Sequence, residues 1–131
     1  MKRNYGQRIP PEWRAMSKVF TALGDEHRQR LLLLFDPGER INAGQIAEAS
    51  TLSRSTVSHH LKILREANVL IAEKVGKEVW FEVNWPFLNE VLGDVSAHVA
   101  EQAAEARRCA APTDNKSATV RRTAAKRDRG D

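Results

Sequence analysis

Between residues 43 and 83 the apolar side chains change their spacing, and that change narrows the folds open to this chain. Val57, Leu61 and Leu64 recur at i, i+4 and i+7, the buried face of one helix. Ser53 is its predicted cap, and the helix should run to about Asn68. From Val69 the pattern becomes strand-like: Val69–Val75 and Glu78–Val83 are predicted strands, joined by a two-residue turn at Gly76-Lys77. Upstream, Asn42 is the expected cap of a short helix over about Ala43 to Ala49, with Ile46 and Ala47 facing inward. Ser50-Thr51-Leu52 then forms a brief turn. A short helix, a tight turn, a second helix and a hairpin together make a winged helix-turn-helix. Thr51 stands where many such turns carry Gly. A left-handed φ at a β-branched residue costs on the order of 1 kcal/mol, so the turn either differs or is strained.

The flanks complete the pattern. Trp13, Met16, Phe20 and Leu23 form an apolar stripe on a helix that starts at Pro11 and ends at Gly24. Asp25 caps a following helix, in which Leu31, Leu32, Leu33, Leu34 and Phe35 should pack on nearly all sides, and DPGER at 36–40 is a turn. Pro86 opens a last helix with Phe87, Leu88, Val91, Leu92, Val95 and Val99 on one side. The predicted fold is mainly α with a β-hairpin wing (α+β), in a single domain. Residues 1–11 form a flexible N-terminal segment, 12–106 the winged helix-turn-helix domain and 107–131 a basic disordered tail.

Charge is uneven. Eight Lys/Arg against three Asp give residues 107–131 a charge of +5, which leaves −1 of the chain's +4 for residues 1–106. The basic excess belongs to the tail, so net charge alone does not make the folded part a nucleic-acid binder. The tail either grips DNA phosphates or is simply solvated. A single cysteine, Cys109, excludes an intramolecular disulfide framework. With no apolar run long enough for a membrane span and no apolar stretch in the basic N-terminus, the expected location is the cytoplasm. Trp13, Trp80 and Trp85 are expected in the core and at a dimer interface rather than around a ligand.

The helix with Val57, Leu61 and Leu64 inside turns Arg54, Ser55, Ser58, His59 and Lys62 outward. Small hydroxyls let a helix sit deep in the major groove, where Arg and His donate to guanine N7 or O6 and Lys meets phosphate. The predicted DNA-contacting set is Arg54, Ser55, Thr56, Ser58, His59 and Lys62, with Lys74 and Lys77 flanking the hairpin tip. His59 points outward, as a groove contact or a merely solvated residue. His60 lies beside the buried stripe and is expected to be half-buried with one hydrogen bond. A winged helix can also serve protein contact, but such a face would be acidic or apolar. No nucleophile, base and acid can be assembled, so no enzyme activity, catalytic residue or cofactor is predicted.

The stretches ALGDEHRQRLLLLF (22–35) and STVSHHLKILREANVL (55–70), with VWFEV (79–83), resemble the ArsR/SmtB family of winged-helix bacterial repressors over roughly Trp13 to Val99. The resemblance implies a homodimeric transcriptional repressor on a palindromic operator of double-stranded DNA, released in many members by an inducer. It implies pairing through the first and last helices, here by Trp13, Met16, Phe20, Phe87, Leu88, Val91, Leu92, Val95 and Val99. Its DNA-contacting positions fall on Arg54, Ser55, Ser58 and His59.

Two features depart from metal-sensing relatives. RINAGQIAEA (40–49) lacks the family's Cys-x-Cys, so a thiolate sensor there has no soft ligands. The zinc or nickel pattern of the last helix keeps His98 and Glu101, but its earlier half falls on Trp85 and Phe87, which cannot ligate. Asp94, His98 and Glu101 remain weak candidates for an improvised site, and an ordinary solvated face is the preferred reading.

Overall fold

The computed structural model describes Gly6 and residues 8–110. The element order is α1 (Pro11–Leu23), α2 (Glu26–Leu32), β1 (Ile41–Asn42), α3 (Ala43–Ala49), α4 (Arg54–Glu66), β2 (Leu70–Val75), β3 (Glu78–Val83) and α5 (Trp85–Cys109). The chain divides into two compact units, residues 1–94 and 95–131. The first holds every element through the start of α5. Among its described residues, the second is the remaining helical part of α5.

Local chemistry sets most boundaries. Pro11 opens α1, where its missing N–H costs nothing. Asp25 caps α2, its carboxylate accepting from the Arg28 N–H at 3.1 Å. Asn42 and Gln45 form a reciprocal capping box on α3, and the Ser53 hydroxyl accepts from the Thr56 N–H at 3.2 Å to start α4. Asn68 ends α4 with a φ of 63°. Its N–H reaches the Arg65 carbonyl at 3.0 Å, and the Val69 N–H reaches that of Leu64, also at 3.0 Å, the two bonds of a Schellman cap. Asn68 is the only described non-glycine residue with positive φ. Thr51 is therefore not left-handed, and the turn differs from the glycine version rather than carrying strain.

The wing is a hairpin with Leu70 opposite Val83 and Val75 opposite Glu78. Gly76, at φ 63°, takes the first turn position, as two-residue hairpin loops require. Sequence spacing does not reveal β1. Ile41 pairs with Phe81 and Asn42 with Trp80, so the sheet has three strands in the order β1-β3-β2.

The core gathers Val19 and Ala22 of α1, Leu31, Phe35, Ile46, the α4 stripe of Val57, Leu61 and Leu64, Val69 and Leu70, Phe81 and Val83, and Leu88 and Val91. Three expectations need correction. The leucine run is not enclosed: α2 stops at Leu32, and Leu33 is 84% exposed. None of Trp13, Trp80 and Trp85 belongs to the buried core; Trp13 and Trp85 are 42% and 48% exposed. The tail does not begin at 107, because α5 continues through Arg107, Arg108 and Cys109. Arginine is a good helix former, and cations in the last turn complement the helix dipole; Arg108 also pairs with Glu105. The rest of the predicted tail, 111–131, and residues 1–5 and 7 of the N-terminal segment lie outside the described residues. No helix among the described residues is long and apolar enough to cross a membrane.

Candidate nucleic-acid interface

The site is built on α4. Val57, Leu61 and Leu64 are 1%, 4% and 0% exposed, against α1, α2, α3 and β2. Arg54, Ser55, Ser58, His59 and Lys62 are exposed on the rest of the surface. Periodicity thus sorts the two faces correctly.

Thr56 is different. It is only partly exposed, and its hydroxyl lies 2.8 Å from Ser53 Oγ, within the helix cap. Ser55 Oγ is 3.2 Å from Ser53 Oγ, so the cap also orients the first turn of the outward face. Lys62 Nζ lies 4.0 Å from Glu66 Oε1, a long and exposed pair that leaves the ammonium available to an anion. Lys74 on β2 and Lys77 in the turn are both exposed.

Open clefts lie on either side of the outward face of α4. One lies between α3 and α4 and includes Arg54 and Ser58 over Ala43 and Leu61. The other, of about 240 Å³, lies between α4 and the sheet, floored by Leu61, Val79 and Phe81 and rimmed by Ser58, Lys62 and Arg65. Arg65 is a rim cation that the sequence reading omits. Its signal was present: Ser58, Lys62 and Arg65 follow the same i, i+4, i+7 rule as the buried stripe.

His59 is exposed, whereas His60 is 8% exposed, more enclosed than expected. Burial pushes the His60 pKa below its usual 6.5; Arg28, His59 and His27 act in the same direction, and Asp25 opposes them. The Asp25 carboxyl is held below its usual 3.8, chiefly by the Arg28 backbone N–H.

The residues expected at a dimer interface separate into two groups. Leu88 and Val91 belong to the chain's own core, at 7% and 9% exposure. Met16 and Phe87 are partly buried against that core. Trp13, Phe20 and Leu92 instead expose 42%, 46% and 43% of their surface. Sequence spacing could not separate them because α1 is apolar on two sides, and Val19 and Ala22 are the pair that is buried. In the second unit Val95 is partly exposed and Val99 is 58% exposed. Asp94, His98 and Glu101 are each exposed. Among the described residues, no group of three or more His, Cys, Asp or Glu is placed to hold a metal ion.

The family model for bacterial regulatory proteins of the arsR family matches residues 25–72, from the cap of α2 into β2. Over 77 residues the chain is 35% identical to the transcriptional repressor SdpR of Bacillus subtilis (strain 168), a match that spans 59% of this chain and 84% of that protein. The chain belongs to the ArsR family. It is therefore a DNA-binding transcriptional regulator. A second ArsR-type relative, the arsenical resistance operon repressor of Staphylococcus aureus, is 26% identical over 84 residues, covering 64% of this chain and 80% of the relative. An ArsR-like transcriptional regulator from Rhodococcus sp. RHA1 superposes with a TM-score of 0.63 at 24% identity, over 77% of this chain and 97% of that one. That likeness bears on the fold: the winged helix-turn-helix predicted from the apolar spacing is observed.

Proposed function

We propose that this ArsR-family regulator is a homodimeric cytoplasmic repressor that reads a palindromic operator with α4. The observation that carries the proposal is the division of α4 into a buried apolar stripe and an exposed face of Arg54, Ser55, Ser58, His59 and Lys62. Those groups donate to base edges and phosphates. Lys74 and Lys77 on the wing add contacts to the DNA backbone, and Arg65 extends the basic rim of α4. Thr56 serves the cap rather than the groove. Repression rather than activation is supported by the names of SdpR and the arsenical resistance operon repressor.

The exposed Trp13, Phe20 and Leu92 support pairing through the first and last helices, because large apolar groups at the surface favour association. Two-fold pairing presents two copies of α4 about one helical turn apart, roughly 34–36 Å. The missing thiolates support DNA binding that needs no metal.

The test is a titration of the full chain against duplex DNA from upstream of its own coding sequence and against a shuffled duplex, at fixed near-physiological salt, with and without EDTA. The expected preference is about a thousandfold or more, unaffected by EDTA and abolished in Arg54→Glu and Ser58→Glu. Equal binding of the two duplexes, or unchanged binding by these variants, overturns the assignment of α4.

A further inference from the structure

The guanidinium of Arg28, on α2, reaches two separate parts of the fold. Its Nε donates to the Ala22 carbonyl at 2.7 Å and its Nη2 to the Thr21 carbonyl at 3.0 Å, both near the C-terminal end of α1. Its Nη1 lies 3.3 Å from Nδ1 of His60, on the inner side of α4. A guanidinium only donates. Nδ1 must therefore accept, so His60 is the neutral ring with its proton on Nε2. The root of Arg28 is held as well, since its backbone N–H donates to the Asp25 cap at 3.1 Å. One planar fork, carried by α2, thus joins the end of α1 to the middle of α4. A lysine ammonium has no such spread of fixed donors.

We propose that Arg28 and His60 form a latch that positions α4 against α1, and that protonation of His60 releases it. The consequence for DNA rests on the reading of α4 proposed above. An imidazolium has no acceptor at Nδ1, so protonation replaces the hydrogen bond with two like charges. Four groups face the ring: Asp25 at the cap of α2, His27 and Arg28 within α2, and His59 from its own helix. The His27 and His59 rings lie 6.0 Å and 5.9 Å away. Asp25 favours the proton; the other three oppose it, and burial opposes it most. The ring therefore stays neutral at neutral pH, and the latch opens on acidification. The stability it contributes is complete above the unfolded value of 6.5 and is lost as pH falls from there toward the lower folded value. α1 also carries Trp13 and Phe20, so the latch ties the proposed pairing helix to the proposed reading helix.

The experiment compares the full-length wild type with His60→Asn and His60→Leu. Asn offers an acceptor near the place of Nδ1 but takes up no proton; Leu fills the space and accepts nothing. Affinity for the upstream duplex is measured at fixed salt from about pH 8 to about pH 5.5, a range that brackets the ordinary histidine value. At the alkaline end His60→Asn should bind within about threefold of wild type, and His60→Leu about tenfold more weakly, the size of one hydrogen bond to a charged group. On acidification the wild type should fall toward His60→Leu while His60→Asn falls less. His27 and His59 are present in all three proteins, so the comparison isolates position 60. His60→Leu binding like wild type, or wild type and His60→Asn sharing one pH profile, overturns the latch. Imidazole nitrogen NMR on DNA-free protein separates the two ideas. His60 should show a bare Nδ1 and a protonated Nε2 in wild type, and mixed tautomers in Arg28→Ala. If the duplexes are not discriminated, the reading of α4 fails while the tautomer still decides the latch; mixed tautomers in wild type overturn it.

Discussion

Asn42 and Gln45 exchange hydrogen bonds at the start of α3. The Gln45 N–H donates to Asn42 Oδ1 at 2.8 Å, and the Asn42 N–H donates to Gln45 Oε1 at 3.1 Å. Asn42 is also the last residue of β1 and pairs with Trp80 of the wing. One side chain therefore caps the first helix of the helix-turn-helix at the point where the sheet holds it. Asn42→Ala should destabilise the protein by about 1 kcal/mol and lower Tm by about 4–8 °C, as expected for a domain of this size. Calorimetry at matched protein concentration checks this, since pairing makes Tm depend on concentration. A Tm within a degree of wild type would mean the box adds nothing beyond solvation.

The wing lysines and α4 should separate in salt dependence. Lys77 lies in the exposed turn and meets phosphate in the proposed complex. Lys77→Ala should weaken the upstream and shuffled duplexes alike and reduce the salt slope by about 1. Arg54→Ala should reduce the preference between them, by about 1–3 kcal/mol if the contact is a bidentate guanine pair. Binding isotherms at several salt concentrations give both numbers. A selective loss in Lys77→Ala would move sequence reading to the wing.

Asp25 predicts an acid response of its own. Its carboxyl is depressed below 3.8 because the charged form accepts from the Arg28 N–H. Its contribution is present above 3.8 and lost as pH falls through the lower folded value. Asp25→Asn keeps a competent cap without the ionisable group. Urea denaturation from about pH 5 to about pH 2, around the ordinary carboxylate value, should show a shallower loss of stability in the variant. Parallel curves would show that other carboxylates carry the acid unfolding.

Much of the fold is legible in spacing and caps. The buried stripe of α4, the hairpin and its glycine, and the caps at Asp25, Asn42 and Ser53 all depend on neighbours within a few residues. The outward face of α4 follows from the same helix period, and Arg65 was recoverable by extending it. Other features depend on residues distant in sequence. β1 is two residues long and exists only by pairing with β3, which no local periodicity encodes. The exposure of Leu33 follows from α2 ending at Leu32. The identity of the buried side of α1 depends on what packs against it, since both sides are apolar.

By itself, the sequence determined the order of the helices and the hairpin, the caps at Asp25, Asn42 and Ser53, and the exposed face of α4, because these are set by backbone propensity, capping and the helical repeat. Only the tertiary structure decided that Leu88 and Val91 are core residues while Trp13 and Phe20 are at the surface, and that Arg28 meets His60 across 32 positions of chain. Burial and long-range hydrogen bonds depend on which elements pack together, and that packing is a property of the whole chain.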